Sequence, residues 1–336
     1  MFRSILSDDL PRSRWLAVLL IAILVGLAVA PFVFPGAKSL NVAARICVFI
    51  VLAASFDLLL GYTGIVSFAH TMFFGIGAYG VAIALTRMGA EWTSVAVGVL
   101  GGLVLAIVLA VLIGLFSLRV RTIFFAMITL AVASAFAILA SQLSGITGGE
   151  DGLNYRLPAM LRPSFKLFEW GNGGVNGRLL DYYIVYVVSL ALVLGLLRIV
   201  NSPFGSVLMA IRENPFRAEA IGYRTVVYRT LASCIAAAAA ALAGALLALW
   251  SAQASPDTTL SFDIMVDILL MVVIGGMGTI YGPAIGAVLL VLAQNYLQNL
   301  VGDRWLLWLG VAFILCVYFF PTGIVGRLRS IRRARP

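Results

Sequence analysis

Three short stretches of this 336-residue chain hold the residue types that could do chemistry. The first runs Gly61-Tyr62-Thr63-Gly64-Ile65-Val66-Ser67-Phe68-Ala69-His70 and continues through Gly75, Gly77 and Gly80. The second is Gly275-Gly276-Met277-Gly278-Thr279, followed by Gly282-Pro283. Both interrupt apolar sequence with glycine. In a bilayer, irregular backbone survives only where protein buries it or where it lines a cavity. In transporters such breaks present backbone groups to a substrate. Tyr62, Thr63, Gly64, Ser67, His70, Gly275, Gly276 and Gly278 are therefore the candidates for a translocation pathway. A plain turn between two spans is the competing reading of the first break. Breaks in both halves suggest an internal inverted repeat, although the two do not align residue by residue.

The third stretch, Asn201 to Arg229, is polar and basic. Phe204, Val207, Leu208 and Ile211 recur at helical spacing, one apolar stripe of a short helix. Ser202-Pro203 reads as an N-cap followed by Pro at the first helical position. Asn214-Pro215 repeats that signal, and Gly222 can end the second short helix. Two amphipathic helices too short to span suggest docking to a soluble partner. A helix lying on the lipid surface is the alternative. Glu213 and Glu219 among the arginines favour the protein socket.

Other chemistry is excluded by what is missing. His70 is the sole histidine, so it has no second imidazole to share a metal. It reads as a hydrogen-bonded packing residue, with a proton relay as the alternative. Cys47, Cys234 and Cys316 each fall inside apolar runs without metal-ligand spacing. Asp57, Asp263 and Asp267 sit near the ends of apolar runs and read as interfacial or capping carboxylates. Neither Lys38 nor Lys166 follows a glycine, so there is no Walker A motif.

These segments must be positioned by membrane-spanning helices. Apolar residues make up 62% of the chain and charged residues 11%, against about 45–50% and 25% in soluble domains. Mean hydropathy is +1.07. Runs of spanning length lie at about 15–34, 43–61, 65–86, 94–118, 122–141, 182–197, 230–250, 264–279, 283–300 and 305–320. The expected fold is all-α: a single polytopic transmembrane bundle of about ten helices over 1–336. The first run reads as an uncleaved span rather than a signal peptide, because it is long and Pro31 would follow the cleavage site. Small residues such as Gly98, Gly101, Gly102 and Ala236 to Ala241 predict close helix packing.

The net charge of +9 comes from short loops and tails, not from a nucleic-acid-binding stripe. A ten-span count puts the N-tail (1–14), the Arg119/Arg121 turn, the 198–229 segment and the C-tail (322–336) on one side. That side holds fifteen of the 23 basic residues, so it is the cytoplasm by the positive-inside rule. The neutral stretch 142–181 then lies outside, too short for a domain and able to fold as a cap.

The same segments resemble the permease subunits of branched-chain amino acid ABC importers, of the LivM type. The matching residues are Gly61-Tyr62-Thr63-Gly64 with Ser67 to His70 and Phe74 to Tyr79. Thr147-Gly148-Gly149-Glu150-Asp151-Gly152-Leu153 is similar to the family's outside-loop motif. Arg212-Glu213-Asn214-Pro215 with Arg217-Ala218-Glu219-Ala220 and Gly222 resembles its coupling loop. Gly275 to Thr279, Gly282-Pro283 and Gly286-Ala287 complete the set.

The resemblance implies a bacterial inner-membrane subunit with both termini cytoplasmic. It would form the pathway with a second homologous permease, above two cytoplasmic ABC ATPases. A periplasmic binding protein would deliver the substrate, a branched-chain amino acid or a related small polar solute such as urea or an amide. Pro203, Phe204, Arg212, Glu213, Asn214, Pro215, Arg217, Glu219, Ala220 and Gly222 would couple to the ATPases, and Thr147, Gly148, Gly149, Asp151 and Gly152 would form the periplasmic motif. The chain would do no covalent chemistry and hold no cofactor or metal, ATP being used by its partners. An ion-coupled secondary transporter or a small-solute channel is the rival reading. The scarcity of buried ionisable residues argues against the first, and the docking helix against the second.

Overall fold

The computed structural model describes residues 14–33, 36–117, 122–168, 175–304 and scattered positions from 307 to 325. The rest of both tails, the Arg119/Arg121 turn, Gly171 to Gly174 and most of the predicted tenth span lie outside the described residues. The elements, numbered here along the chain, are α1 Arg14–Val33, α2 Ala37–Leu60, α3 His70–Met88, α4 Trp92–Ser117, α5 Thr122–Gln142 and the short α6 Ser144–Thr147. Then come β1 Leu153–Asn154, a 3-10 turn at Ala159–Leu161, β2 Lys166–Phe168, β3 Val175–Asn176, α7 Gly177–Val200, α8 Pro203–Glu213 and α9 Pro215–Ala220. The last group is α10 Thr225–Ser251, β4 Gln253–Ala254, α11 Pro256–Thr259, α12 Phe262–Gly275 and α13 Tyr281–Val301.

Nine stretches among the described residues are helical, long and apolar enough to cross a membrane, one of them running through α11 and α12. The protein is an all-α polytopic membrane protein. Helices satisfy their own backbone, which is why apolar runs of this length take no other form in lipid. Their surfaces divide by exposure. In α2 every residue from Ile46 to Leu59 is buried. By contrast α1 exposes Val18, Ile21 and Phe32, and α5 exposes Ile123, Phe124 and Met127. Such apolar side chains are at home against acyl chains.

The boundaries differ from the sequence reading at informative places. The third span begins at His70, not Ile65, because the break extends through Ala69. The Phe68 amide freed there donates to Thr129 Oγ1 at 3.1 Å. The sixth span starts early, at Gly177, and takes in the end of the stretch assigned to the outside loop. Asp263 lies in the first turn of α12 as expected. Asp267 lies one turn deeper and accepts a 2.9 Å hydrogen bond from Gln294 Nε2.

The chain divides into two compact units: Met1–Gly64, Leu190–Tyr228 and Val266–Pro336 form one, Ile65–Ser189 and Arg229–Met265 the other. In the first unit, α12 and α13 approach so closely that a β-carbon on Gly286 would overlap the Met271 carbonyl. In the second, Gly77 of α3 lies against the Ala241 backbone and Gly244 of α10 against that of Phe74. Gly80 and Gly98 bring α3 and α4 into the same backbone contact. The core of that unit joins Ala78, Val81 and Leu85 to Ala245, Leu249 and Ala254, and Leu157 and Leu161 of the 142–181 stretch pack into it. That stretch is thus a cap seated on its own helices. It is stitched by β1 pairing antiparallel with β4, Leu153 opposite Ala254. Tyr155 donates to the Ala248 carbonyl at 2.8 Å. Burial, and then the charge of Asp181, push its phenol upward, so it remains a donor.

Candidate functional site

The two glycine-rich breaks meet in the first unit. Helix α2 ends as the Gly61 and Tyr62 amides both bond the Asp57 carbonyl, at 2.7 and 3.2 Å. Thr63 caps its own turn, its hydroxyl donating to Leu59 O at 2.6 Å. The Asp57 side chain turns the other way. Its Oδ1 accepts from the Gly278 amide at 2.9 Å and its Oδ2 from the Thr279 amide at 3.1 Å, 221 and 222 residues along the chain.

Those amides converge because the second break winds through left-handed backbone, φ +116° at Gly276 and +77° at Gly278. Successive N–H groups in such a turn form a concave anion site. Thr279 Oγ1 closes the turn on Gly276 O at 3.1 Å. Asp57 has no solvent exposure. Burying a carboxylate without partners costs several kcal/mol, whereas hydrogen bonds to a charged group contribute about 1.5–3 kcal/mol each. The pairing with Gly278 and Thr279 is what permits an acid at this place.

The space between the breaks admits no side chain. A β-carbon on Gly61 would overlap both the Asp57 carboxylate and the Gly278 amide. Into the same junction reaches Arg212 of α8, whose Nη1 donates to the Gly61 carbonyl. A β-carbon on Gly64 would lie 3.1 Å from Arg212 Cγ, and one on Gly278 3.1 Å from Nη1. Gly61, Gly64, Gly278 and Arg212 therefore form one cluster with Asp57, and Tyr62, Thr63, Gly275 and Gly276 belong to its two turns. Ser67 and His70 fall in the other unit. Both are buried, and the His70 ring meets Phe73 edge-on at 6.5 Å.

The 201–229 segment folds with the expected pair of short helices. Leu208 and Ile211 of α8 are buried, with Phe204 and Val207 half-buried, so the predicted stripe faces inward. Asn214 caps α9 by accepting from the Arg217 amide at 3.0 Å. Ser202 does not cap α8: its hydroxyl donates back to Ile199 O at 2.6 Å, and Pro203 opens the helix without a side-chain cap. Gly222 ends α9 with φ +102°. Glu219 accepts from Thr225 Oγ1 at 2.5 Å, tying α9 to the start of α10. Phe204 stacks on Tyr228 at 5.7 Å and braces the other end. Pro203, Arg212, Glu213, Arg217 and Ala220 are exposed in this hairpin, and Pro215 is half-buried.

The sequence pattern does not single out two exposed residues of the hairpin. Phe216 is 82% and Ile221 78% accessible, both on the α9 turn. A hollow of about 320 Å³ beside them is lined by Glu219, Gly222, Tyr223 and Thr225. Asp57, which its position suggests is an interfacial cap, is instead the centre of the junction. The signal that could have placed it is a carboxylate inside a span, which demands a named partner.

The outside-loop motif is a tight turn in the second unit. Thr147 Oγ1 donates within reach of both Ala140 O, at 2.5 Å, and Leu143 O, at 2.8 Å. Gly148, Gly149 and Gly152 all have positive φ, at +78°, +68° and +72°. A β-carbon on Gly152 would sit 2.6 Å from Ser255 Cα. Asp151 is exposed. Nearby, an apolar cavity of about 450 Å³ is walled by α3, α4 and α5 through Ile76, Tyr79, Gly98, Gly101 and Phe136, and Thr147 reaches it. No pathway candidate lines it.

Helices that span a membrane, broken at paired glycine turns and carrying a helical hairpin too short to span, define a membrane transport subunit. Residues 39–320 match the family described as the permease component of branched-chain amino acid transport systems, and the chain belongs to that family. It is 27% identical over 329 residues to the high-affinity branched-chain amino acid transport system permease protein LivM of Salmonella typhimurium, covering 92% of this chain and 75% of the relative. BraD of Pseudomonas aeruginosa is 26% identical over 285 residues, covering 82% and 91%. LivH of Escherichia coli is 26% identical over 282 residues, covering 82% and 90%. No solved structure matches the chain.

Proposed function

We propose that the chain is one of two membrane subunits of an ATP-driven importer in the bacterial inner membrane, carrying branched-chain amino acids or related small polar solutes. A second, homologous permease completes the pathway, a periplasmic binding protein supplies the substrate, and two cytoplasmic ATPases drive the cycle. That relatives named LivM and LivH occur together in Escherichia coli supports the second permease. The chain itself contributes two conformations with different affinities for its partners and substrate, and hydrolysis belongs to the ATPases.

The observation that carries this reading is the α8–α9 hairpin. Its stripe of Leu208 and Ile211 is buried, yet Phe216 and Ile221 are exposed, Phe216 beside Arg217. Large apolar side chains at the centre of a polar rim are the usual anchors of a protein interface. Contacts at Glu219–Thr225 and Phe204–Tyr228 tie the hairpin to the start of α10, which suits a docking element that transmits force.

The test is uptake into proteoliposomes holding the purified complex, with leucine, urea and acetamide as solutes. ATP-dependent accumulation of one of them is expected. Replacing Phe216 and Ile221 together by Ser should release the ATPases, with a loss of about 2 kcal/mol or more in binding, as for interface anchors, while the permease still folds. Uptake driven by an ion gradient without ATP would establish the secondary-transporter reading instead.

A further inference from the structure

We infer that Asp57 and Arg212 form the joint through which movement of the α8–α9 hairpin reaches the two glycine breaks. The inference rests on the importer reading and specifies how that importer is coupled. Arg212 stands one residue from the end of α8. Its stem crosses Gly64, and its guanidinium bonds the Gly61 carbonyl beside Gly278.

Gly61 O is one of the orphan acceptors at the C-terminal end of α2. Arg212 satisfies it with a side chain from outside the span. The neighbouring turn is bonded through Asp57 to Gly278 and Thr279, the link between the end of α12 and the start of α13. Three membrane helices are thus joined at one point to a single arginine on the hairpin.

Hydrogen bonds weaken steeply with distance and angle, so α8 cannot shift by more than a fraction of its own width without carrying Gly61 or releasing it. The glycines are part of the device. Left-handed backbone at Gly64 and Gly278 leaves room for the guanidinium stem and aims amides at the carboxylate. Arginine suits the position because its planar fork reaches a carbonyl with fixed direction, where lysine offers a compact point charge. Arg212 and Asp57 are accordingly positioning residues: neither need touch the solute.

The test compares ATP hydrolysis and solute uptake in proteoliposomes of the whole complex carrying Arg212→Gln, Arg212→Lys, Asp57→Asn or the double variant Asp57→Asn/Arg212→Gln. The result expected is that hydrolysis continues while solute carried per ATP falls by roughly tenfold, within the usual span of coupling factors. The Lys variant should recover part of the ratio. Because both residues serve one joint, the double variant should be no worse than the worse single. A wild-type ratio in Arg212→Gln overturns the joint, as do additive losses in the double variant. Equal loss of hydrolysis and uptake would show a merely structural role and overturn it too. Should Asp57→Asn fail to accumulate in the membrane, the two Arg212 variants decide alone. Absence of ATP-driven uptake by the wild-type complex would instead sink the importer reading, and the joint with it.

Discussion

Gly145 and Gly148 stand three residues apart and face opposite physical demands. Gly145 lies in the short α6, and a β-carbon added there would meet no atom within 4 Å. Gly148 has φ +78°, and its β-carbon would overlap the Gly152 carbonyl. Gly145→Ala should be neutral or stabilising by up to about 1 kcal/mol, since alanine removes backbone entropy. Gly148→Ala should cost about 1–2 kcal/mol for the left-handed conformation alone, and more for the overlap. Thermal unfolding of the two variants in detergent checks the contrast. Sequence shows both as glycine; the φ angle and the space around each separate them. Asp57 teaches the same lesson. A carboxylate one turn before a break reads as an interfacial cap, because its partners are 221 and 222 residues away and no local pattern announces them.

At the scale of elements, spacing is a good guide to which segments are helical and a poorer one to how they meet. The stripe of Phe204, Val207, Leu208 and Ile211 turns inward as helical periodicity requires, and Asn214 caps α9. Ser202 has the residue type of a cap, but its hydroxyl donates back to Ile199 O and accepts no amide of the first turn. The third span starts late because Thr129, on another helix, satisfies the Phe68 amide and lets the break persist. Small residues in α4 and α10 predict close packing, and backbone contact delivers it where Gly98 meets α3 and where Gly244 and Gly77 join α10 to α3. Gly77→Val or Gly244→Val should push those helices apart. Overpacking costs typically about 1–3 kcal/mol, and more is expected here because backbone atoms cannot repack. The measurable outcome is a lower unfolding temperature and less protein in the membrane. Gly101→Val, with no atom within 4 Å of its β-carbon, is the matched control.

For the molecule as a whole, the proposal requires the hairpin and the 142–181 cap to lie on opposite sides of the bilayer. In a variant lacking Cys47, Cys234 and Cys316, Glu150→Cys should react with an impermeant thiol reagent in intact cells. Arg217→Cys should react only after the membrane is opened. Both positions are exposed in the fold, so labelling reports sidedness. An Arg217→Cys that labels from outside would reverse the topology and remove the hairpin from its ATPases.

Membrane residence and the all-α class were determined by sequence alone, because lipid leaves an apolar run of twenty residues a single way to satisfy its backbone, and the two short helices over 203–220 followed from local periodicity and proline placement. Family membership was also legible there, in four motifs in order, three of them rich in glycine. The junction of the two breaks was decided by tertiary structure. Asp57, Arg212 and Gly278 are distant in the chain, and their meeting depends on helix packing that only glycine-sized surfaces allow. Hydropathy and periodicity describe what each segment prefers by itself; a buried charge finds its partners only after the segments have come together.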